Sequence, residues 1–125
     1  MLLEDAGFMF ALTHVFYTAS GYMTRYPDPA AFAPEIGMLR QALRRYLSEP
    51  VPPQRHFLDI QAEVLFALEL LRVPEDDDMR AMAERLIALQ NADGSWGEAS
   101  GNHREHATLV VVQALLDHPE ELRQP

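Results

Sequence analysis

The 125-residue sequence contains no cysteine, no lysine and no long apolar run. The absence of cysteine excludes disulfides, thiolate zinc sites and cysteine nucleophiles. Ten arginines stand against nineteen acids and leave a net charge of −9, so we expect no nucleic-acid binding, because a phosphate backbone repels such a surface. A transmembrane helix needs about 20 consecutive apolar residues, so we also expect no membrane span.

The remaining composition is that of a globular protein, with 48% hydrophobic and 23% charged residues. This length is typical of one domain, and we expect residues 1–125 to form a single domain. The first residues, Met1–Asp5, include two acids where a secretory signal carries positive charge. We therefore expect a cytoplasmic protein.

Prolines and glycines divide the chain into five segments with helical periodicity. The run Leu109–Val112 could also form a buried strand, but a lone strand would have no partner, so we predict an all-α fold. The predicted helices are Leu2 to about Ser20, Pro34 to about Leu47, about His56 to Leu71, the acidic run Glu75–Asp78 through Leu89, and about Glu105 to Leu116.

The five predicted helices alternate in character along the chain. The first, third and fifth are apolar nearly all round, whereas the second and fourth are amphipathic, which predicts inner and outer layers of a helical solenoid or toroid. Placing His14, Glu63 and His106 in register gives separations of 49 and 43 residues. These separations are close to the period of paired-helix repeats.

A family motif stands at the end of the fourth helix. Gln90-x-x-x-Gly94-x-Trp96 resembles the glutamine–tryptophan motif of squalene and hopene cyclases and related α/α-toroid proteins. His106-x-Thr108, after a polar loop, is similar to the end of protein prenyltransferase β subunits. The resemblance implies an open or half α/α-toroid of about three inner–outer helical hairpins, as a short or partial member. In the prenyltransferases the histidine matching His106 binds zinc with an aspartate and a cysteine, and this chain lacks the cysteine.

The chain is short for the ring that this resemblance implies. A closed toroid of six hairpins needs roughly twice this length. We therefore expect an open arc, a dimer that completes a ring, or a piece of a longer protein. An open arc exposes the apolar sides of its first and last inner helices, which favours a homodimer or a partner subunit.

Four polar residues lie on the otherwise apolar inner helices: His14, Asp59, Glu63 and His106. Asp59 and Glu63 are four residues apart and share one helix face, and the repeat register brings His14, Glu63 and His106 to one level. Imidazoles with carboxylates suit acid–base catalysis. His14, Glu63 and His106 also suit Zn²⁺ or Fe²⁺ without thiolates. Hydrogen bonding between helices is a third, purely structural role for the same residues.

A looser pattern covers more of the chain. Thr13-His14-x-Phe16-Tyr17, Asp59-x-x-x-Glu63 and His106-x-Thr108-Leu resemble small toroid-like proteins of bacterial natural-product pathways. The resulting hypothesis is a small enzyme or enzyme-like subunit of a specialised biosynthetic pathway. It would act on an apolar or isoprenoid-like substrate in a concave helical pocket, with the four polar residues as catalytic groups. The alternative is a noncatalytic helical-repeat scaffold that binds a peptide or a partner protein.

Overall fold

A computed structural model describes residues 5–22, 24–49, 55–97 and 102–116. These residues form five α-helices and a short 3₁₀ helix, Pro29–Phe32, and no strand is found among them. The predicted all-α fold is confirmed, and the run Leu109–Val112 lies inside a helix. The α-helices are α1 (Ala6–Ala19), α2 (Ala33–Ser48), α3 (Arg55–Leu70), α4 (Asp77–Ala88) and α5 (Asn102–Leu115).

Side-chain caps and left-handed residues set the ends of the first and fourth helices. Asp5 has an extended backbone and accepts the Phe8 N–H at 2.9 Å, so α1 begins at Ala6; the preceding predicted residues, 2–4, lie outside the described ranges. The predicted stop at Gly21 is confirmed by its φ of 60°. Asp76 caps α4 in the same way as Asp5 caps α1.

The fifth helix begins earlier than the sequence predicts, at Asn102 instead of about Glu105. The polar segment before Glu105 lacks apolar periodicity, which predicts a loop, yet the first turn of an exposed helix can be polar on all sides. Arg104 ties this turn to the preceding loop, because its guanidinium pairs with Asp93 and donates to Ser95 Oγ at 2.7 Å. The polar loop between α4 and α5 is therefore shorter than predicted.

Helix α3 lies at the centre of the molecule. It contacts α1, α2, α4 and α5, and α2 also contacts α4. Every residue from Asp59 to Leu68 is buried, as the apolar character of this helix predicts. These contacts place α1, α3 and α5 in one row and α2 and α4 in a second row, which agrees with the predicted alternation; closure or curvature into a toroid stays a prediction.

The two outer members of the first row each keep an exposed apolar side. Val15 on α1 is 48% exposed, and on and beside α5 Leu109 is 58% and Leu116 is 61% exposed. Helices α1 and α5 are therefore covered on fewer sides than their composition suggests. Within the described ranges, none of the helices combines the length and the apolar character that crossing a bilayer requires.

Candidate functional site

The candidate site is built around Glu63, which projects from the middle of the buried helix α3. Its side chain is 0% exposed. A carboxyl in this position has lost its hydration, and an ionised carboxylate pays a large free-energy cost for that loss. Burial accordingly raises the pKa of the Glu63 carboxyl, and Asp59 raises it further. These effects outweigh the Thr13 hydrogen bond and the two nearby histidines, which act in the opposite direction.

Thr13 on α1 makes the closest contact with the acid. Its hydroxyl oxygen lies 3.0 Å from Glu63 Oε1 and also 3.0 Å from the Phe10 carbonyl oxygen of its own helix. The Thr13 side chain is fully buried, so it forms a dry connection between α1 and α3. The site residues predicted from the sequence omit Thr13; the available signal was a threonine inside an apolar helix, directly before His14.

His14 lies beside Thr13 at the rim of the site. Its Nδ1 atom is 2.6 Å from the Phe10 carbonyl oxygen and 3.7 Å from Glu63 Oε1. Since a carbonyl oxygen only accepts hydrogen bonds, Nδ1 carries a proton and donates it to Phe10. The ring is 58% exposed, so His14 connects the buried carboxyl to solvent.

His106 on α5 faces the acid from the other side. Its Nε2 atom lies 3.7 Å from Glu63 Oε2 and 3.8 Å from Asp59 Oδ2, while the side chain remains 48% exposed. Asp59 is almost fully buried one turn before Glu63. The structure thus brings together all four predicted residues, His14, Asp59, Glu63 and His106, from three helices; their chemical roles stay predictions.

Tyr17 lies beside the carboxyl group, and its ring packs against two other rings. The Tyr17 ring lies 5.2 Å from the His14 ring and 5.7 Å from the Phe66 ring, measured between centroids. Burial raises the pKa of the Tyr17 hydroxyl, and the neighbouring Glu63 carboxyl raises it further by its charge and as a hydrogen-bond acceptor. Tyr17 therefore keeps its proton over the physiological range and is a hydrogen-bond donor at the site.

The predicted metal ligands do not form a recognisable metal site. In the described part of the chain, no group of three or more histidine, aspartate or glutamate side chains is placed to hold a metal ion. His14 illustrates why, because its Nδ1 atom, the ring nitrogen that faces Glu63, is already used on the Phe10 carbonyl. Binding of zinc or iron by His14, Glu63 and His106 would require these side chains to rearrange.

The glutamine–tryptophan segment holds α4, its following turn and α5 together. Gln90 donates to the Gly94 carbonyl at 2.9 Å, and Gly94 has a φ of 90° that favours glycine. Buried Trp96 donates from Nε1 to the Leu86 carbonyl at 2.6 Å. Its backbone N–H donates to Thr108 Oγ1 at 3.0 Å, two residues after His106. This motif therefore positions the helix that carries His106 and does not itself reach the carboxyl group.

Comparisons with protein-family models, with curated proteins and with solved structures gave no match for this chain. The resemblance to toroid proteins rests on the residues of the motif itself and stays a prediction.

A cavity elsewhere in the molecule is distinct from this site. It has a volume of ≈ 580 Å³ and lies between α3, α4 and α5. Leu65 and Glu69 line it from α3, and these residues project from a different side of that helix than Asp59 and Glu63. The cavity therefore gives no access to the buried carboxyl.

Proposed function

We propose that this protein is a small acid–base enzyme, or the enzyme-like subunit of one, in which Glu63 acts as a general acid on an apolar substrate. The observation that supports the proposal is the complete burial of the Glu63 side chain, which raises the pKa of its carboxyl and favours the protonated form. The Thr13 hydroxyl donates to Glu63 Oε1 at 3.0 Å and holds the carboxyl in place.

The surroundings of Glu63 favour the same protonation state. The carboxyl is completely buried, and the raised pKa follows from that burial. A general acid is useful near neutral pH only if it still holds its proton there, and burial is the usual means of achieving this. The separation of 3.7 Å from each histidine is also longer than a charge-assisted hydrogen bond of about 2.7–2.9 Å.

His106 and His14 supply a route for returning the proton. In the proposed reaction Glu63 gives its proton to the substrate and becomes a carboxylate. His106, half exposed and 3.7 Å from Oε2, first takes a proton from water and then gives one to the carboxylate. Asp59 lies 3.8 Å from His106 Nε2 and stabilises the protonated imidazole during this exchange.

The substrate class follows from the apolar walls and from the toroid resemblance. Tyr17 lies beside Glu63, and its ring packs 5.7 Å from the ring of buried Phe66. An apolar molecule, such as an isoprenoid, fits this environment better than a charged one. The place of such a reaction in a specialised biosynthetic pathway is part of the same proposal.

The proposal is tested by transfer of solvent deuterium to carbon. The protein is incubated in D₂O with a panel of apolar alkenes, alcohols and ketones that includes isoprenoids, and carbon-bound deuterium is measured by mass spectrometry. We expect incorporation into at least one class, and about a hundredfold slower incorporation with Glu63→Gln, since general acid–base groups contribute typically that much or more.

The matched control is Glu84→Gln, which changes an exposed carboxyl on α4 and should leave the rate unchanged. Equal rates for wild type and Glu63→Gln would contradict the role of Glu63. Absence of carbon-bound deuterium from every class, with the folded protein, would count against acid–base catalysis itself.

Metal-assisted chemistry at His14, Glu63 and His106 is the other version of the enzyme hypothesis. Elemental analysis of purified protein distinguishes it from the proposal above. About one zinc or iron per chain, lost in Glu63→Gln, together with a chelator-dependent melting temperature, would replace general-acid catalysis by a metal mechanism.

A noncatalytic binding module is the second candidate, and the exposed side of α5 favours it. A groove of ≈ 490 Å³ lies there, lined by Ser95, Arg104, Glu105, Thr108, Leu109 and Val112. A homodimer or a partner subunit packed on this side would cover Leu109. Light scattering of the wild type and of Leu109→Glu tests this candidate: a dimer that dissociates on substitution supports association through α5, and a monomeric wild type contradicts a homodimer.

A further inference from the structure

We infer that the cavity between α3, α4 and α5 binds a small amphiphilic cation, that is, an aliphatic chain that ends in an ammonium group. The cavity has a volume of ≈ 580 Å³, which lies within the range of about 300–1,000 Å³ that small-molecule sites occupy. It is separate from the Glu63 site, so the inference goes beyond the proposed function and does not depend on it.

The charged residues that line the cavity are of one sign. They are Glu69 and Glu75, and none of the described residues that line it is basic. The other lining side chains are aliphatic, apart from Met79 and the buried Tyr26. An anion would face two carboxylates here, and a wholly apolar molecule would displace water from them without replacing it. A ligand that matches this lining therefore combines a positive group with a hydrocarbon part.

The two carboxylates lie at one end of the cavity. Helix α3 ends at Leu70, directly after Glu69, and the short connection to α4 contains Glu75. From there Met79, Ala83 and Ile87 line the cavity at intervals of four residues along one face of α4. Eight residues of helix extend roughly 12 Å. This arrangement places the ammonium group near the carboxylates and the aliphatic chain along α4.

The ends of two helices favour a cation in the same cavity. Glu69 lies in the last turn of α3, and Ala114–Leu116 line the cavity at the end of α5. The carbonyl groups at a helix C-terminus carry partial negative charge and attract cations. The N-terminus of α4 has the opposite polarity, but the Asp76 side chain already caps it.

Two arginines lie near this end of the cavity without lining it. Arg80 is 3.6 Å from Glu75 and closer, at 3.1 Å, to Asp77. Arg80 therefore divides its charge between two carboxylates, and Glu75 keeps part of its negative charge for a ligand. The Arg72 guanidinium stacks over the Tyr26 ring, 5.1 Å from its centroid, so this lining residue already tolerates a neighbouring positive charge.

The experiment compares three ligands that share one chain and differ in the terminal group: octylamine, which is protonated near neutral pH, 1-octanol and octanoate. Each is titrated into ¹⁵N-labelled protein at about 0.15 M salt, where attraction to the net charge of −9 is screened beyond about 8 Å. Dissociation constants are taken from the amide shifts of residues 79–87. We expect octylamine to bind about tenfold more tightly than 1-octanol, because its hydrogen bonds to carboxylates are charge-assisted, and octanoate to bind most weakly.

Glutamine variants assign the preference to the two carboxylates. Glu75 is 60% exposed, so Glu75→Gln removes its charge without disturbing the core, and it should lower the preference for octylamine about threefold. The double variant Glu69→Gln/Glu75→Gln should bind octylamine and 1-octanol about equally. Glu84→Gln is the matched control, because it removes an exposed carboxyl of α4 that does not line the cavity, and it should keep the full preference.

A second pair of variants tests the location. Ala83→Leu fills the middle of the cavity and should weaken octylamine binding about tenfold, whereas Ala88→Leu, at an exposed position outside the lining, should not change it.

Several results would overturn the inference: equal affinities of the wild type for octylamine and 1-octanol, tightest binding of octanoate, a preference that persists in both glutamine variants, or no saturable shift within residues 79–87. Shifts centred on α1 and His106 would also overturn it, because the ligand would then occupy the Glu63 site. None of these outcomes bears on the deuterium test of the proposed function, whose rate Glu75→Gln should leave unchanged.

Discussion

Replacing Glu63 by glutamine provides a test of the protonation state of the buried acid through the pH dependence of stability. Glutamine has nearly the same shape and cannot titrate. In the unfolded chain Glu63 loses its proton near its ordinary pKa of 4.5, whereas in the native state the carboxyl keeps it because burial raises the pKa. Between these two pKa values the unfolded state binds fewer protons than the native state.

The sign and the size of the effect follow from proton linkage. The stabilising contribution of Glu63 is complete below the unfolded pKa and is lost as the pH rises to the folded pKa. Over that window the free energy of unfolding of the wild type should fall, relative to Glu63→Gln, by about 1.4 kcal/mol per pH unit. Above the folded pKa the difference between the two proteins should become constant.

The assay is urea unfolding at a series of pH values from about 4 to about 8, followed by tryptophan fluorescence. Trp96 is the only tryptophan and is buried in the fold, so its emission reports global unfolding. Subtracting the curve of Glu63→Gln from that of the wild type removes the titration of distant groups. The exposed control Glu84→Gln should run parallel to the wild type at every pH.

An increase in the wild-type advantage with rising pH would refute the reasoning. That sign would mean that Glu63 is ionised in the native state and is stabilised by protonated His14 and His106. A difference that does not vary with pH would mean that the carboxyl has the same pKa in both states. Either result would remove the general-acid role.

Three further substitutions test the contacts that hold the site and the fold. Thr13→Val should lower the free energy of unfolding by about 1–3 kcal/mol in urea titrations, because Glu63 Oε1 loses its buried partner. Asp76→Ala removes the N-cap of α4 and should cost about 1 kcal/mol by the same measurement. Gly94→Ala places a β-carbon at a φ of 90° and should cost about 1–3 kcal/mol, seen as a lower melting temperature.

Matched substitutions serve as controls for these three. Thr18→Val on the exposed side of α1 and Asp77→Ala in the first turn of α4 should each change stability by much less than their partners do. Gly37→Ala adds a β-carbon in open space within α2 and should be neutral or stabilising. If a control is as costly as its partner, the contact assigned to that partner is not the source of its effect.

The sequence predicts the helices of this protein well because their signals are local. Proline and glycine positions and the spacing of apolar side chains reflect the backbone conformation of a few neighbouring residues. The start of α5 was predicted incorrectly, because the residues before Glu105 are polar and carry no periodicity. This first turn carries Arg104, which pairs with Asp93 across the Gly94 turn, and a contact of that kind leaves no periodic signal in the sequence.

The candidate site, like the helices, could be predicted from the sequence only in part. His14, Asp59, Glu63 and His106 are recognisable in the sequence as polar residues within apolar helices, and the repeat register predicts that three of them meet. Thr13 is not recognisable in this way, since a threonine in a helix commonly bonds to its own backbone. Its contact with Glu63 connects residues that are 50 positions apart.

The sequence by itself determined the helical class, the absence of thiol chemistry and the set of polar residues carried by the apolar helices. Only the tertiary structure decided which of those residues is buried and which is exposed. Glu63 is completely enclosed while His14 and His106 remain half open to solvent, and that difference arises from the packing of α1 and α5 on α3. Because dehydration controls the pKa of a carboxyl, this packing determines its expected chemistry.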